Sequence, residues 1–375
     1  MINVSLMGKK YKLQIIFKVI LLRVAIIGAG PSGLACALEL ERRGINPDIF
    51  ERSGKVGYAV PRVEILLQLF QRPQRDLLHY LFNNFGIKLK PLSRVQSYIM
   101  YSSRHTVPIK GKLGYLIERG QSRNAVEVQL AKSLRSKIKF HTHAGYRALA
   151  SEYDYVVVAE GNHAAANELK TWETTVTAWA KGAIVLGRFD PGTAFVYFNT
   201  DFARHGFGSF KPFNSERALL SLQVPYIDHS ELNYYWNNFM EIEKFHPEII
   251  ETYELFYTGG VTSRQQVDNI LLTGNSGGFT DSFLGLGLLP GMISGAMAGK
   301  AIAEGLNYER LVSPLISQVK RLSAFRKAFN TMNNDSLDHL IGTIGLPGIK
   351  HIIYNTNVDV LNLLYPFIVK YFRKN

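Results

Sequence analysis

The residues whose types and spacing are best suited to chemistry are the glycines of Gly28-Ala29-Gly30-Pro31-Ser32-Gly33, which fit the pattern G-x-G-x-x-G. The apolar run Val24 to Ile27 precedes them and an apolar helical pattern follows, so the sequence predicts a strand, a tight turn and a helix. In such a turn, Gly28 permits the bend, Gly30 lets a diphosphate approach the backbone, and Gly33 lets the helix pack on the strand. Unpaired N–H groups and the helix dipole attract the phosphates. The motif predicts a dinucleotide site.

An acidic residue strengthens this prediction. Glu51 ends the next predicted strand, 23 positions after Gly28. A carboxylate at this distance can accept hydrogen bonds from the hydroxyls of an adenosine ribose. A glycine-rich turn without a ligand is the alternative, but the agreement of strand, helix, terminal Gly44 and Glu51 favours a site.

Charge and cysteine content restrict the partners. The 375 residues carry a net charge of +13, which suits nucleic acid, an anionic membrane surface or a phosphorylated substrate. No nucleic-acid motif accompanies the charge, so we expect no nucleic-acid partner. Cys36 is the single cysteine, which excludes an internal disulfide and favours a reducing, cytoplasmic location. No metal site is expected, because His141 and His143 lack the other ligands that a metal motif requires.

The order of the patterns predicts a chain of several parts. Residues 1–21 read as a basic extension, with Met7 as another candidate start. Val63 to Phe70 and Asp76 to Phe85 have helical patterns, whereas residues 182–224 contain short strands separated by turns, typical of an antiparallel sheet. The region after Tyr308 has a helical pattern with lysines and arginines at intervals. Its end is interpreted either as a helix that caps the substrate domain or as a surface that contacts an anionic bilayer.

A second glycine-rich stretch begins at Gly274, after the apolar strand Asn269 to Thr273, and reads GNSGGFTDSFLGLGLLPGMISGAMAGKAIAEGL. Its loop and the start of its helix leave the backbone bare, which suits a flat ring and a negative oxygen. Gly274 to Leu288 aligns without a gap with a motif of the FAD-dependent geranylgeranyl reductases, which are related to aromatic-ring hydroxylases and lycopene cyclases. The chain resembles this family over most of Arg23 to Leu306.

Three further matches extend the resemblance. Arg123 to Leu130 matches the family's R-x-x-F-D-x-x-L, which implies that Arg123 lies near the cofactor, with Arg119 as the competitor for that role. Ala159-Glu160-Gly161 matches the family's A-D-G at the end of a strand. Residues 206–213 match loosely the family's G-Y-x-W-x-F-P-K stretch.

The resemblance implies an α/β fold: a Rossmann-type FAD-binding domain with an inserted antiparallel-sheet substrate domain and a helical C-terminus. The implied FAD-binding domain covers 22–165 and 268–306, with 59–110 partly on the substrate side; the substrate domain covers 166–267, and the helical region covers 307–375. The cofactor is expected to be FAD, held by Gly28, Gly30, Pro31, Ser32, Gly33, Glu51, Arg52, Arg62, Arg123, Glu160, Gly161, Gly274, Asn275, Gly285, Leu286, Gly287 and Leu288.

Departures from the family pattern concern the flavin and the substrate. Asn275 stands where the family has aspartate, Leu286 replaces glutamate, Ser282 replaces proline and Ser209 replaces tryptophan. An amide still forms hydrogen bonds, so FAD remains the expected cofactor although a negative charge is lost. Aromatic residues of the second sheet and one lysine are the candidates for the substrate wall: Phe195, Tyr197, Phe207, Phe210 and Lys211.

The resemblance implies a reductase of carbon–carbon double bonds in an isoprenoid or other hydrophobic, lipid-like substrate. An FAD-dependent monooxygenase and a non-catalytic FAD-fold binding protein are the alternatives. The expected electron donor is external, either NAD(P)H or a small redox protein, because no second G-x-G-x-x-G is present. Neither the substrate, the catalytic residues nor the oligomeric state follows from the sequence.

Overall fold

The structure is a computed structural model that describes residues 22–72, 74 and 76–366. The basic N-terminal extension predicted for residues 1–21 lies outside the described residues, as do residues 367–375. Two sheets organise the described chain, and helices cover their faces. This is the α/β architecture expected from the sequence.

The first sheet is parallel except at one edge and carries the glycine turn. Its strands are apolar on both sides because helices pack on both faces. Ala25 lies opposite Asp48 on one side and Val156 on the other, so the strand before the glycine turn is central. In spatial order the strands are β13 (Gln266–Val267), β14 (Ile270–Leu272), β7 (Tyr155–Val158), β1 (Val24–Ile27), β2 (Asp48–Phe50) and β6 (Ile138–Lys139).

The second sheet is antiparallel except for the pairing of two strands. Its antiparallel registers include Ser209 opposite Ser221, whereas Ile99 pairs in parallel with Phe195. It combines strands from residues 62–119 with strands from residues 172–262. In spatial order the strands are β12 (Glu248–Thr262), β8 (Trp172–Leu186), β11 (Arg217–Pro225), β10 (Phe207–Pro212), β9 (Thr193–Tyr197), β4 (Ser93–Tyr101), β5 (Thr106–Arg119) and β3 (Arg62–Leu67).

Small residues bring the two motif helices into contact. A Cβ added to Gly295 would lie 2.0 Å from the Ser32 carbonyl oxygen, so glycine is required for this close approach. The helices are α1 (Pro31–Arg42), α2 (Leu77–Phe85), α3 (Val126–Lys132), α4 (Tyr146–Glu152), α5 (Ala164–Glu168), α6 (Thr200–Ala203), α7 (Leu232–Ile242), α8 (Leu288–Glu304), α9 (Tyr308–Phe329), α10 (Asn334–Gly345) and α11 (Pro347–Asn355). None of those in the described ranges is long and apolar enough to cross a membrane.

One helix prediction was wrong. Val63 to Phe70 has a helical pattern, but Arg62–Leu67 forms β3, and only Gln68–Gln71 is a short 3-10 helix. β3 pairs with β5 along its whole length, from Arg62 opposite Arg119 to Leu67 opposite Gly114. The pairing with β5 and the burial of Val63 and Ile65 outweigh the helix propensity of the leucines, because tertiary context overrides propensity.

Candidate functional site

The three motif glycines have different surroundings. A Cβ on Gly28 would lie 2.4 Å from the Ala159 carbonyl oxygen, and one on Gly33 would lie 2.0 Å from the Gly28 carbonyl oxygen. Gly28 also has a φ of +102°, which disfavours any side chain. A Cβ on Gly30 would meet nothing within 4 Å. Gly28 and Gly33 are therefore required by the protein's own packing, whereas the bare backbone at Gly30 faces open space in the cavity.

Helix α1 begins at this open space without a side-chain cap. Gly30 is its N-cap residue and Pro31 occupies its first turn. The hydroxyl of Ser32 is buried and has no hydrogen-bond partner among the described residues. A free hydroxyl and an uncapped helix N-terminus match the needs of a diphosphate.

The carboxylate of Glu51 is held at the edge of the same cavity. The backbone N–H groups of Ala29 and Ser53 donate to it over 2.9 and 2.8 Å. These bonds fix the carboxylate beside the glycine turn and leave acceptor capacity for a ribose hydroxyl. Glu160 and Arg52 also line the cavity. Burial raises the pKa of Glu160, an effect that His143 and Arg52 oppose.

The second glycine motif adjoins the first, since a Cβ added to Gly274 would lie 3.0 Å from the Cβ of Ser32. The side-chain amide of Asn275 donates to the Gly161 carbonyl oxygen over 3.0 Å, while its own Oδ1 is buried without a partner in the described chain. Gly274 and the segment from Gly285 to Leu288 line the same wall. Asn275 thus leaves an acceptor for a ligand hydroxyl, which fits FAD at a position where the resembling family has aspartate.

A buried carboxylate that sequence reasoning missed shapes this motif. Asp281 accepts hydrogen bonds from the backbone N–H groups of Phe283, Leu284 and Leu286 at 2.6 to 2.9 Å. These bonds turn the loop so that the uncapped N-terminus of α8, at Gly287, borders the cavity. Burial raises the pKa of Asp281 although these donors favour the charged form. An aspartate followed by turn residues is the sequence signal for such a loop.

The structure distinguishes Arg119 from Arg123. Arg119 lies at the cavity wall with its side chain only 11% exposed, and there its Nε donates to Glu127 over 2.6 Å and its Nη1 pairs with Glu64. Burial alone would lower the pKa of Arg119, but the two carboxylates raise it above the ordinary value. Arg123 is exposed and does not line the cavity. Of the two candidates, Arg119 is the one at the site.

A single cavity of about 1290 Å³ joins the glycine motifs to an apolar compartment. One wall comes from the second sheet, including Met100, Leu113, Val196 and Leu219. The opposite wall comes from the helical C-terminal region, where the lining residues are Ile341, Ile344, Ile353, Tyr354, Leu361 and Leu364. A cofactor-sized cleft and a long apolar compartment therefore form one continuous space.

Only part of the predicted substrate wall faces this cavity. Phe207 and Lys211 line it, together with Ser209, because alternate residues of β10 point to the same side. Tyr197 and Phe210 do not line it: Tyr197 packs against Phe239 of α7 with ring centroids 5.7 Å apart. Phe195 borders the cavity, but its ring packs against Phe210 at 5.7 Å.

Comparison with known proteins agrees with this geometry. Residues 26–81 match a family model described as an NAD(P)-binding Rossmann-like domain. A geranylgeranyl bacteriochlorophyll reductase-like protein from Thermoplasma acidophilum superposes with a TM-score of 0.74 at 16% identity, covering 94% of this chain and 98% of that protein. The chain has the fold of the flavin-dependent oxidoreductases.

Two further solved structures share this fold, and their names describe other reactions. A flavin-dependent brominase has a TM-score of 0.66 at 12% identity, covering 94% of this chain and all (100%) of that one. The p-nitrophenol 4-monooxygenase of Pseudomonas putida DLL-E4 has a TM-score of 0.62 at 12% identity, covering 89% of this chain and 97% of that protein. The resemblance seen in the sequence is confirmed at the level of the fold, and the residues present fit FAD as the cofactor.

Two curated relatives match over short stretches. The small chain of the NADPH glutamate synthase of Escherichia coli K12 is 36% identical over 72 residues, 18% of this chain and 14% of that protein. Protoporphyrinogen oxidase 2 of Arabidopsis thaliana is 57% identical over 35 residues, which are 9% of this chain and 7% of that protein. The chain therefore spans only a small part of each curated relative.

Proposed function

We propose that the protein is an FAD-dependent oxidoreductase that reduces carbon–carbon double bonds of an isoprenoid or another hydrophobic, lipid-like substrate. The observation that carries the proposal is the continuity of the cavity, which leads from the two glycine motifs into an apolar compartment. An apolar compartment of this kind suits a long hydrocarbon better than a small polar substrate.

The expected FAD residues divide between the ends of the cofactor. Gly28, Gly30, Pro31, Ser32 and Gly33 would hold the diphosphate, as the free space at Gly30 and the unpartnered Ser32 hydroxyl suggest. Glu51 and Arg52 would hold the adenosine. At the flavin end, the proposed residues are Glu160, Gly161, Gly274, Asn275, Gly285, Leu286, Gly287 and Leu288.

FAD, when bound, supplies the hydride chemistry, while the protein supplies position, water exclusion and a proton. A Cβ built on Gly285 would lie 3.5 Å from the Tyr257 hydroxyl oxygen and 3.7 Å from Gln223 Oε1, so both side chains border the second motif. Burial raises the pKa of Tyr257, and its hydroxyl therefore stays protonated at neutral pH. We assign the Tyr257 Oη proton to the carbon that does not receive the hydride.

A monooxygenase is the second candidate. Gln223, Tyr253 and Tyr257 place polar groups in the cavity, and the nitrophenol monooxygenase shares the fold. Such groups suit a phenol as well as an alkene. Experiment must therefore separate the two reactions.

The visible spectrum of the purified protein tests the proposal, with extraction of bound nucleotide and anaerobic reduction. Flavin bands that bleach and then return on addition of an unsaturated isoprenoid support the reductase. Return only with oxygen and a phenol supports the monooxygenase. A colourless protein that cannot be reconstituted with FAD refutes both and leaves a non-catalytic binding protein.

Exposed apolar side chains near the C-terminal helices bear on a proposed membrane contact. Ile352 is 48% exposed and Leu364 is 42% exposed, and Leu364 also borders the cavity. We propose that this face contacts an anionic membrane from which a lipid-like substrate enters, and that NAD(P)H or a small redox protein supplies electrons. Cosedimentation with anionic and with neutral vesicles tests the contact, and equal absence from both pellets would contradict it.

A further inference from the structure

Two cations meet in the wall of the apolar compartment. Arg62 begins β3 and Lys211 lies on β10, and both line the cavity. Three strands separate β3 from β10 along the sheet, yet the sheet curls so that the two strands approach each other. The curvature brings together two positive charges that lie far apart in sequence.

Neither cation has a hydrogen bond or an ion pair within the described chain. Nε of Arg62 is buried without a partner, and its guanidinium lies over the Tyr58 ring at 3.7 Å from the centroid. The ammonium of Lys211 is attracted by Glu64 and repelled by Arg62, but it forms no hydrogen bond with the described residues. Both groups have donors to offer.

The nearby carboxylates are already committed to another cation. Glu64 pairs with Arg119, which also pairs with Glu127. Three cations, Arg62, Arg119 and Lys211, therefore share two carboxylates, and this part of the wall keeps a net positive charge. A cation removed from water without a partner is costly, and a bound anion would offset that cost through charge-assisted hydrogen bonds.

We infer that Arg62 and Lys211 form a subsite for the phosphate or carboxylate head group of an amphipathic substrate whose hydrocarbon chain fills the apolar compartment. This inference rests on the proposed function, because it names the polar end of the proposed lipid-like substrate. The sequence places Arg62 among the cofactor residues, and the subsite gives it a role on the substrate side instead.

Calorimetric titration of the FAD-saturated protein with a matched series of probes tests the subsite. Octyl phosphate, octanoate and 1-octanol share a chain and differ in the head group. We expect at least one of the two anions to bind about tenfold or more tightly than 1-octanol, and the tighter of the two identifies the head group. Arg62→Gln and Lys211→Gln should each remove about tenfold or more of that preference and leave 1-octanol binding unchanged.

Matched controls come from exposed residues outside the cavity. Arg188→Gln and Lys132→Gln should keep the full preference. Should Arg62→Gln fail to fold, Arg62→Lys keeps the charge without the planar fork and should show an intermediate preference.

Equal affinity for all three probes would overturn the inference. So would variants that release FAD while keeping the preference for anions, because the cations would then belong to the cofactor. Calorimetry requires no turnover, so head-group binding by a protein that reduces no alkene would refute the reductase and leave the subsite standing.

Discussion

The side-chain amide of Asn275 donates a hydrogen bond of 3.0 Å to the backbone carbonyl of Gly161. This bond joins the second glycine motif to the loop that follows β7, and aspartate has no donor with which to replace it. The asparagine that departs from the family pattern is therefore also a structural link in this chain.

Replacing Asn275 with the aspartate of the family pattern should destabilise the folded protein. Asn275→Asp places a carboxylate oxygen against the Gly161 carbonyl, and we expect a loss of about 1–3 kcal/mol in the free energy of unfolding. Urea denaturation at neutral pH measures it. Asn275→Ala removes the bond without repulsion and should cost less; a more stable Asn275→Asp protein would contradict the structural role of the amide.

The motif glycines should separate ligand binding from stability. Gly30→Ala projects a methyl group into open space, so FAD affinity should fall at least tenfold while the melting temperature stays within about 2 °C. Gly33→Ala meets the Gly28 carbonyl at 2.0 Å and should destabilise the fold. Fluorescence titration with FAD and thermal melts distinguish the two effects, and unchanged FAD affinity in Gly30→Ala would remove Gly30 from the proposed site.

Arg119 and Arg123 provide a matched pair for the electrostatics. Arg119→Met leaves Glu64 and Glu127 without their cation, and we expect a loss of about 3–5 kcal/mol in unfolding free energy. Arg123→Met alters an exposed side chain and should change stability by about 0.5 kcal/mol or less. Chemical denaturation compares them, and similar small effects would show that the ion pairs of Arg119 do not stabilise the fold.

The ionisation of Lys211 should make the free energy of unfolding depend on pH in the alkaline range. Burial, with help from Arg62 and against Glu64, lowers its pKa from 10.5 to about 8. Between these values the unfolded chain binds more protons than the folded chain, so folding stability should rise with pH across this window. Stability curves of the wild type and Lys211→Gln should diverge there, whereas Lys132→Gln should follow the wild type. Parallel curves for all three proteins would rule out the shift.

Tyr257 should affect one half of the proposed reaction. In Tyr257→Phe the reduction of bound FAD should keep its rate, while reoxidation by an alkene should slow about 10²–10⁴-fold because the proton donor is lost. Stopped-flow absorbance separates the half-reactions, with Tyr234→Phe, an exposed tyrosine, as control. Equal reoxidation rates would remove Tyr257 from the mechanism.

The sequence predicted the glycine turn, the strands around it and the second motif because glycine spacing and apolar runs determine local structure directly. The sequence patterns did not predict the long strand Glu248–Thr262, because polar and apolar residues alternate there only from Thr252 to Leu255. Tyr197 and Phe210 were placed on the substrate wall because alternation does not say which side of a strand faces a cavity. The approach of Arg62 to Lys211 depends on sheet curvature, which no local pattern encodes.

The two walls of the apolar compartment come from distant parts of the chain. When residues up to 306 have left the ribosome, every strand of both sheets is available, but Ile341, Ile353 and Leu361 are still missing. The nascent chain therefore exposes the apolar side of the second sheet until the segment from Ile341 to Leu361 is synthesised and packs against it. An exposed apolar surface of this kind is a natural target for chaperones during synthesis.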